Sequence, residues 1–177
     1  PKDVKALVRT AEKAGYEMKV LKAVEDVNDR QKGILFRKLS EACGGNLAGL
    51  TVALWGLAFK PETDDMREAP SLVTIRLLLD AGCRVKVYDP VAMDECRRRI
   101  GDSVEYALDM YEAVQDADAL LLLTEWKQFR MPSWPVIRNS MRRPLVIDGR
   151  NIYDAAELEG AGFLYSSIGR KTPEFEK

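Results

Sequence analysis

The sequence predicts an open α/β fold: a doubly wound parallel sheet with an N-terminal helical segment in front of it. Three observations carry this. From Thr51 onward, short apolar runs alternate with stretches of helical period. One of those runs, Ala119 to Leu123, is apolar throughout, as in a strand covered on both faces of a parallel sheet. And Thr51 to Trp55 leads through Gly56 and a polar loop to Pro70, which stands where a helix could begin. Such a strand, loop and helix open an α/β sheet, whose ligands bind beyond the carboxyl ends of the strands.

The elements follow in order. Lys2 to Ala14 reads as a helix, because Val4, Leu7, Val8 and Ala11 share a face and Gly15 can end it. Val20 to Ala42 reads as one longer helix on Val20, Val24, Val27, Ile34 or Leu35, Leu39 and Ala42. Gln31 breaks that stripe where an apolar residue is due, and Gly44-Gly45-Asn46 opens a turn after it. A helix of that length spans about 35 Å. It suits a connector between domains or a dimer face, or equally a helix packed back on its own sheet. Behind Pro70, Leu72, Ile75, Leu78 and Leu79 repeat at helical spacing, and Gly82 can stop them. Arg84 to Tyr88 is the second strand, Met93 to Ile100 a charged helix, Val104 to Tyr106 a short strand and Met110 to Val114 a short helix. After the fourth strand come a helical turn at Pro135 to Met141, a strand at Leu145 to Ile147, a helix at Ala155 to Glu159 and a strand at Phe163 to Tyr165. Right-handed crossovers give the order 3-2-1-4-5-6. The polar tail after Gly169 is expected to fray.

Composition excludes several classes. The chain has 177 residues, 46% of them hydrophobic, enough for one full core and an appendage. Its 27 basic and 28 acidic residues leave a net charge of -1, which makes no case for a nucleic-acid or membrane surface. No apolar run approaches transmembrane length, and no signal peptide is expected from the opening residues. Cys43, Cys83 and Cys96 lack metal-ligand spacing and there is no histidine, so no metal site is expected, and neither is a Ser-His-Asp or Cys-His nucleophile. Scattered thiols in odd number suit a reducing, cytoplasmic compartment. The chain begins Pro1-Lys2-Asp3 without an initiator methionine, and is expected to be a piece of something longer.

The loop from Gly56 to Ala69 holds Lys60, Arg67 and four acids. It lacks the Gly-x-Gly-x-x-Gly of a dinucleotide site, since Gly56 stands alone. Lys60 could instead neutralise a diphosphate as a point charge, or be a solvated loop lysine. Arg67 lies among Asp64, Asp65 and Glu68, which could stiffen the loop as an ion-pair network. Asp89, at the end of the second strand and followed by Pro90, reads as a turn residue using its carboxylate on nearby backbone. Asp148-Gly149-Arg150 ends the fifth strand. Gly149 permits an unusual backbone bend there, and Arg150 can project into the crevice or close a salt bridge to Asp148. Trp126, after the fourth strand, could wall a base pocket or sit buried under a loop.

Gly56-Leu57-Ala58-Phe59-Lys60-Pro61, followed by Thr63-Asp64-Asp65-Met66-Arg67-Glu68-Ala69-Pro70-Ser71, resembles the signature loop of the nucleotide-sugar dehydrogenases. The Met-Arg-Glu-Ala-Pro-Ser wording is similar to the UDP-glucose branch more than to the GDP-mannose or UDP-N-acetylmannosamine branches. The resemblance implies a Rossmann-like UDP-sugar-binding domain over residues 49–177, and over residues 1–48 the helical remainder of a central dimerisation domain. It implies that Phe59, Lys60 and Arg150 bind the nucleotide sugar, and that Arg67 reaches a cofactor, NAD, held mainly by a domain outside this chain. It also implies a homodimer, and a reaction in which UDP-glucose is oxidised in two steps by two NAD+ to UDP-glucuronate through a cysteine-bound intermediate. In the family that cysteine lies in Gly-Gly-Ser-Cys-Phe-Pro-Lys-Asp. The chain starts at the proline of that segment, so the nucleophile would precede Pro1, and the chain by itself is expected to be inactive. Lys2 and Asp3 would be the catalytic flanks, Asp3 aiding the water that hydrolyses the thioester. By position alone, Asp3 is also the acid a helix start favours.

Overall fold

The computed structural model describes residues 2–173, without the side chains of Lys2, Asp3 and Lys5. Strands β1 (Thr51–Trp55), β2 (Arg84–Tyr88), β3 (Glu105–Tyr106), β4 (Ala119–Leu122), β5 (Leu145–Asp148) and β6 (Leu164–Ser167) form one sheet in the order β3-β2-β1-β4-β5-β6. Every pairing is parallel. This is the strand order the sequence predicts. The helices are α1 (Lys2–Lys13), α2 (Lys19–Lys32), α3 (Ile34–Ala42), α4 (Pro70–Asp80), α5 (Met93–Ile100), α6 (Met110–Val114), α7 (Trp134–Ser140) and α8 (Ala155–Gly160).

Alternation along the central strands builds two cores. Val52, Leu54, Leu121 and Ile147 face one side, where α3, α4 and α5 add Leu35, Leu39, Ile75, Leu78 and Cys96. Ala53, Trp55, Leu120, Leu122 and Val146 face the other, under Val114, Ile137 and Leu158 from α6, α7 and α8. Because both faces are covered, the strands carry no polar side to mark their period. Trp55 stacks on Phe129 with ring centroids 5.0 Å apart, and its indole N–H donates to the Met110 carbonyl at 2.9 Å.

Two expectations are corrected. The single long helix over Val20 to Ala42 is two helices broken at Gly33. The break lets them take different jobs: α3 buries Leu35, Lys38, Leu39 and Ala42 on the sheet, whereas α2 has no buried residue. The tail, too, is tied down as far as Thr172. Buried Lys38 donates to the Arg170 carbonyl at 2.6 Å, to Ser166 Oγ at 3.2 Å and to Thr172 Oγ1 at 3.3 Å, and Thr172 donates to Glu41 at 3.0 Å.

Strand ends come level at the carboxyl edge, where Trp55 sits beside Tyr88 and Leu122. Three devices hold the loops there. Met66 is fully buried in the first core and anchors the loop between β1 and α4, a burial worth roughly 1.5–3 kcal/mol. Gly56 turns at φ +91° with no room for a Cβ, which would lie 2.4 Å from Thr124 Cβ and 2.6 Å from Thr124 N. The buried Asp89 carboxylate accepts five hydrogen bonds: from Leu57 N (2.7 Å), Ala58 N (3.3 Å), Trp126 Nε1 (3.1 Å), Val91 N (2.9 Å) and Ala92 N (2.8 Å). The sequence reading of Asp89 as a turn residue covers Val91 and Ala92 only. The other donors belong to the loops after β1 and β4.

Urea unfolding should separate these devices. Gly56→Ala combines a strained φ with a backbone clash and is expected to lose roughly 3 kcal/mol or more. Gly44→Ala, at φ +64° in open space, should lose only about 1 kcal/mol. Asp89→Asn keeps the shape but sets an amide NH2 against N–H donors, and is expected to cost roughly 2–4 kcal/mol.

Candidate functional site

Above the carboxyl edge lies a cleft of about 390 Å³, within the range of small-ligand pockets. The loop after β1 supplies Phe59, and the turn after β5 supplies Gly149 and Arg150. Its floor is apolar, from Ile34, Leu35, Leu123 and Ile168. Its far wall is the last turn of α2, with Asn28, Gln31 and Lys32.

Asp148 builds the turn that presents Arg150. It is fully buried, and its Oδ1 accepts from Arg150 N at 2.7 Å. Its Oδ2 accepts from Ile152 N at 2.8 Å, Tyr153 N at 3.1 Å and Tyr165 Oη at 3.0 Å. Burial, with the Asp148 charge beside it, pushes the Tyr165 phenol up to about 12, so it stays a donor at neutral pH. Gly149 is needed for space and not for a bend, which corrects the sequence reading. Its φ lies outside the left-handed region, but a Cβ would stand 2.6 Å from the Leu122 carbonyl oxygen and 2.8 Å from Leu35 Cδ1. The left-handed residue of this turn is Asn151, at φ +54°. Its side chain accepts from Ile168 N at 3.0 Å and donates to Ile168 O at 3.2 Å, fixing one edge of the floor.

Arg150 does not close onto the Asp148 side chain. Its guanidinium pairs with Glu125: Nη2 donates to Oε1 at 2.7 Å, and Nε lies against Oε2. Burial raises the Glu125 pKa, but its hydrogen bonds and the Arg150 charge outweigh that and hold the carboxyl below its usual range. Lys32, mostly buried, donates to Glu68 at 2.8 Å and Asp29 at 3.0 Å. Burial lowers its pKa, and these two acids more than restore it. Both cations in the cleft wall are therefore held in place by carboxylates of the chain itself.

The sequence-predicted residues divide as follows. Phe59 and Arg150 share the cleft. Lys60 is exposed and lies outside its lining, with Nζ 5.3 Å from the Phe59 ring centroid; it pairs with no carboxylate among the described residues. Arg67 is also outside the lining, locked to Asp65 by Nε–Oδ1 at 2.9 Å and Nη2–Oδ2 at 2.5 Å. This fork holds the Asp65 carboxyl far below the usual range. The side chains of Lys2 and Asp3 lie outside the described residues. Trp126 sits apart from the cleft, beside Pro61 and Pro90, with its indole committed to Asp89. Sequence reasoning missed Lys32, Asn28 and Glu125. The one available signal was Gln31, polar where the helical stripe called for an apolar residue.

The residues do not fit a dinucleotide on this sheet. Gly56 has no second and third glycine after it, and the strand-end acid Asp89 is saturated by protein donors. Among the described residues no group of Cys, Asp and Glu could hold a metal ion, and no helix is long and apolar enough to cross a membrane.

Residues 53–155 match the model of the UDP-glucose/GDP-mannose dehydrogenase family, UDP binding domain. A UDP-glucose 6-dehydrogenase of Pseudomonas aeruginosa is 53% identical over 175 residues, covering 96% of this chain and 39% of the relative. One from Bacillus subtilis is 41% identical over 170 residues, covering 96% and 37%. The solved UDP-glucose dehydrogenase of Pyrobaculum islandicum superposes with a TM-score of 0.78 at 38% identity, over 89% of this chain and 34% of that one. The chain thus spans well under half the length of these relatives. A cleft walled by Phe59 and Arg150 at the carboxyl edge of a 3-2-1-4-5-6 sheet, with a family model matched from within β1 to the first residue of α8, leads to one conclusion: the chain belongs to the UDP-glucose/GDP-mannose dehydrogenase family.

Proposed function

We propose that this chain holds the UDP-sugar for an NAD-dependent oxidation of UDP-glucose to UDP-glucuronate, as part of a longer dehydrogenase. The observation that carries the reading is the cleft at the carboxyl edge, which Arg150 and Phe59 line over an apolar floor, with Lys60 beside the Phe59 ring and paired with no carboxylate among the described residues. Arg150 is a planar fork suited to one phosphate. Lys60 is a mobile point charge that can close on the other. Phe59, 45% exposed, offers a ring to a base or a sugar face. The names of the relatives above favour UDP-glucose as the sugar nucleotide.

The remaining assignments rest on the family resemblance, those of Lys2 and Asp3 on the segment that follows the family's cysteine. Lys2 and Asp3 are placed at the reaction centre. Arg67, exposed and stiffened by Asp65, is the residue of this chain that would reach NAD, which a different domain would hold. NAD would supply the hydride acceptor; this sheet is not built for it, and its share is placement of the sugar nucleotide. Residues 1–48 are assigned to a central, dimer-forming region and residues 49–177 to UDP-sugar binding. The exposed Val20, Val24 and Val27 along α2 support a homodimer in the longer protein. The free thiols of Cys43, Cys83 and Cys96, with Cys83 pushed up to about 11 by burial, suit the cytoplasm.

Calorimetric titration with UDP tests the site. Arg150→Ala and Lys60→Ala should each weaken binding by roughly 10- to 100-fold, the range of one charge-assisted hydrogen bond. Equal affinity in all three proteins would remove the proposed site. A second test reads Glu125 by NMR. In the native chain its carboxyl titrates below the ordinary carboxylate range, so on acidification it loses its charge, and with it the grip on Arg150, only at the lower pH. In Arg150→Ala burial is opposed only by the backbone hydrogen bond and the Arg130 charge, so the Glu125 pKa should rise from its native position.

A further inference from the structure

We propose that Asn28 and Gln31, on the last turn of α2, read the hydroxyls of the hexose carried by the nucleotide. This deepens the UDP-sugar reading and rests on it. Asn28 and Gln31 stand one turn apart on one helix face, where side chains three apart are neighbours. Both line the cleft. Among the described residues neither side-chain amide has a hydrogen-bond partner, while the charged groups around them are all engaged: Lys32 with Glu68 and Asp29, and Arg150 with Glu125. Gln31 also occupies the position where the apolar stripe of α2 should continue, so its polarity contributes nothing to packing.

The chemistry of the wall selects the part of the ligand. A primary amide both donates and accepts, and carries no charge. It is a poor partner for a phosphate already matched to Arg150, and a good one for a hydroxyl, which also donates and accepts. Two amides a turn apart can hold two hydroxyls of one pyranose ring. The Phe59 ring, on the β1 side of the cleft, provides the flat surface and leaves the α2 side to the sugar.

The test compares UDP with UDP-glucose by calorimetry, in the native chain and in the Asn28→Ala/Gln31→Ala double variant. UDP affinity should stay within about two-fold, while UDP-glucose affinity should fall by roughly ten-fold or more, the effect of two neutral hydrogen bonds. Gln31→Met, which continues the apolar stripe, should give the same sign with about half the logarithmic loss. Both affinities unchanged would overturn the hexose assignment and leave the nucleotide site standing. Equal loss for both ligands would also overturn it, since α2 would then shape the nucleotide pocket as a whole. No UDP binding by the native chain would overturn the site itself, and this inference with it.

Discussion

The Asp89 carboxylate is the interaction on which the carboxyl edge depends. A buried carboxylate is tolerated only when its lone pairs are filled. Here they are filled from three directions, by the loop after β1, the start of the loop after β2 and the indole after β4. Asp148 repeats the device at the end of β5, taking Arg150 N, Ile152 N, Tyr153 N and the Tyr165 hydroxyl. Both acids serve the fold. By absorbing the N–H donors of these loops they fix where Phe59 and Arg150 can stand.

This explains a contrast with dinucleotide sites on the same sheet order. There, glycines bring backbone N–H groups to a pyrophosphate and a strand-end acid goes to a ribose. In this chain Leu57 N and Ala58 N are turned inward to Asp89. Those backbone donors are spent on the protein, and the polar groups that line the cleft are side chains. Arg150 is held by Glu125, Lys32 by Glu68 and Asp29, and Lys60, beside the Phe59 ring, pairs with no carboxylate among the described residues. Cations held by internal acids stay oriented without ligand, and they can exchange a carboxylate for a phosphate of similar geometry.

The break at Gly33 decides how the helical segment serves the cleft. Its Cβ would lie 3.6 Å from Leu77 Cδ1, so the break is seated against α4. Past it α3 turns its apolar face to the sheet, and Leu35 comes close enough to exclude any side chain at residue 149. Before it α2 stays outside the core and offers polar groups to the cleft. A continuous helix could not do both, because its apolar stripe would advance steadily around one axis.

What the sequence determined by itself is the local and the periodic. Strand runs, helix starts such as Pro70 and the order of the sheet follow from backbone sterics, burial on both faces and crossover handedness, all of which act over a few residues or on topology as a whole. The loop wording around Phe59, Lys60 and Arg67 gave the family, and the stray Gln31 hinted at the α2 wall. Tertiary structure alone decided the partners. Arg150 meets Glu125 from 25 residues away, Asp89 collects Leu57 and Trp126 across 32 and 37, and Lys38 reaches the tail across 132. Contacts at such separations leave no mark on any one segment's pattern. The physical reason is that hydrogen bonds and ion pairs are satisfied by whatever group the fold brings near, and side-chain type records only the capacity to bond.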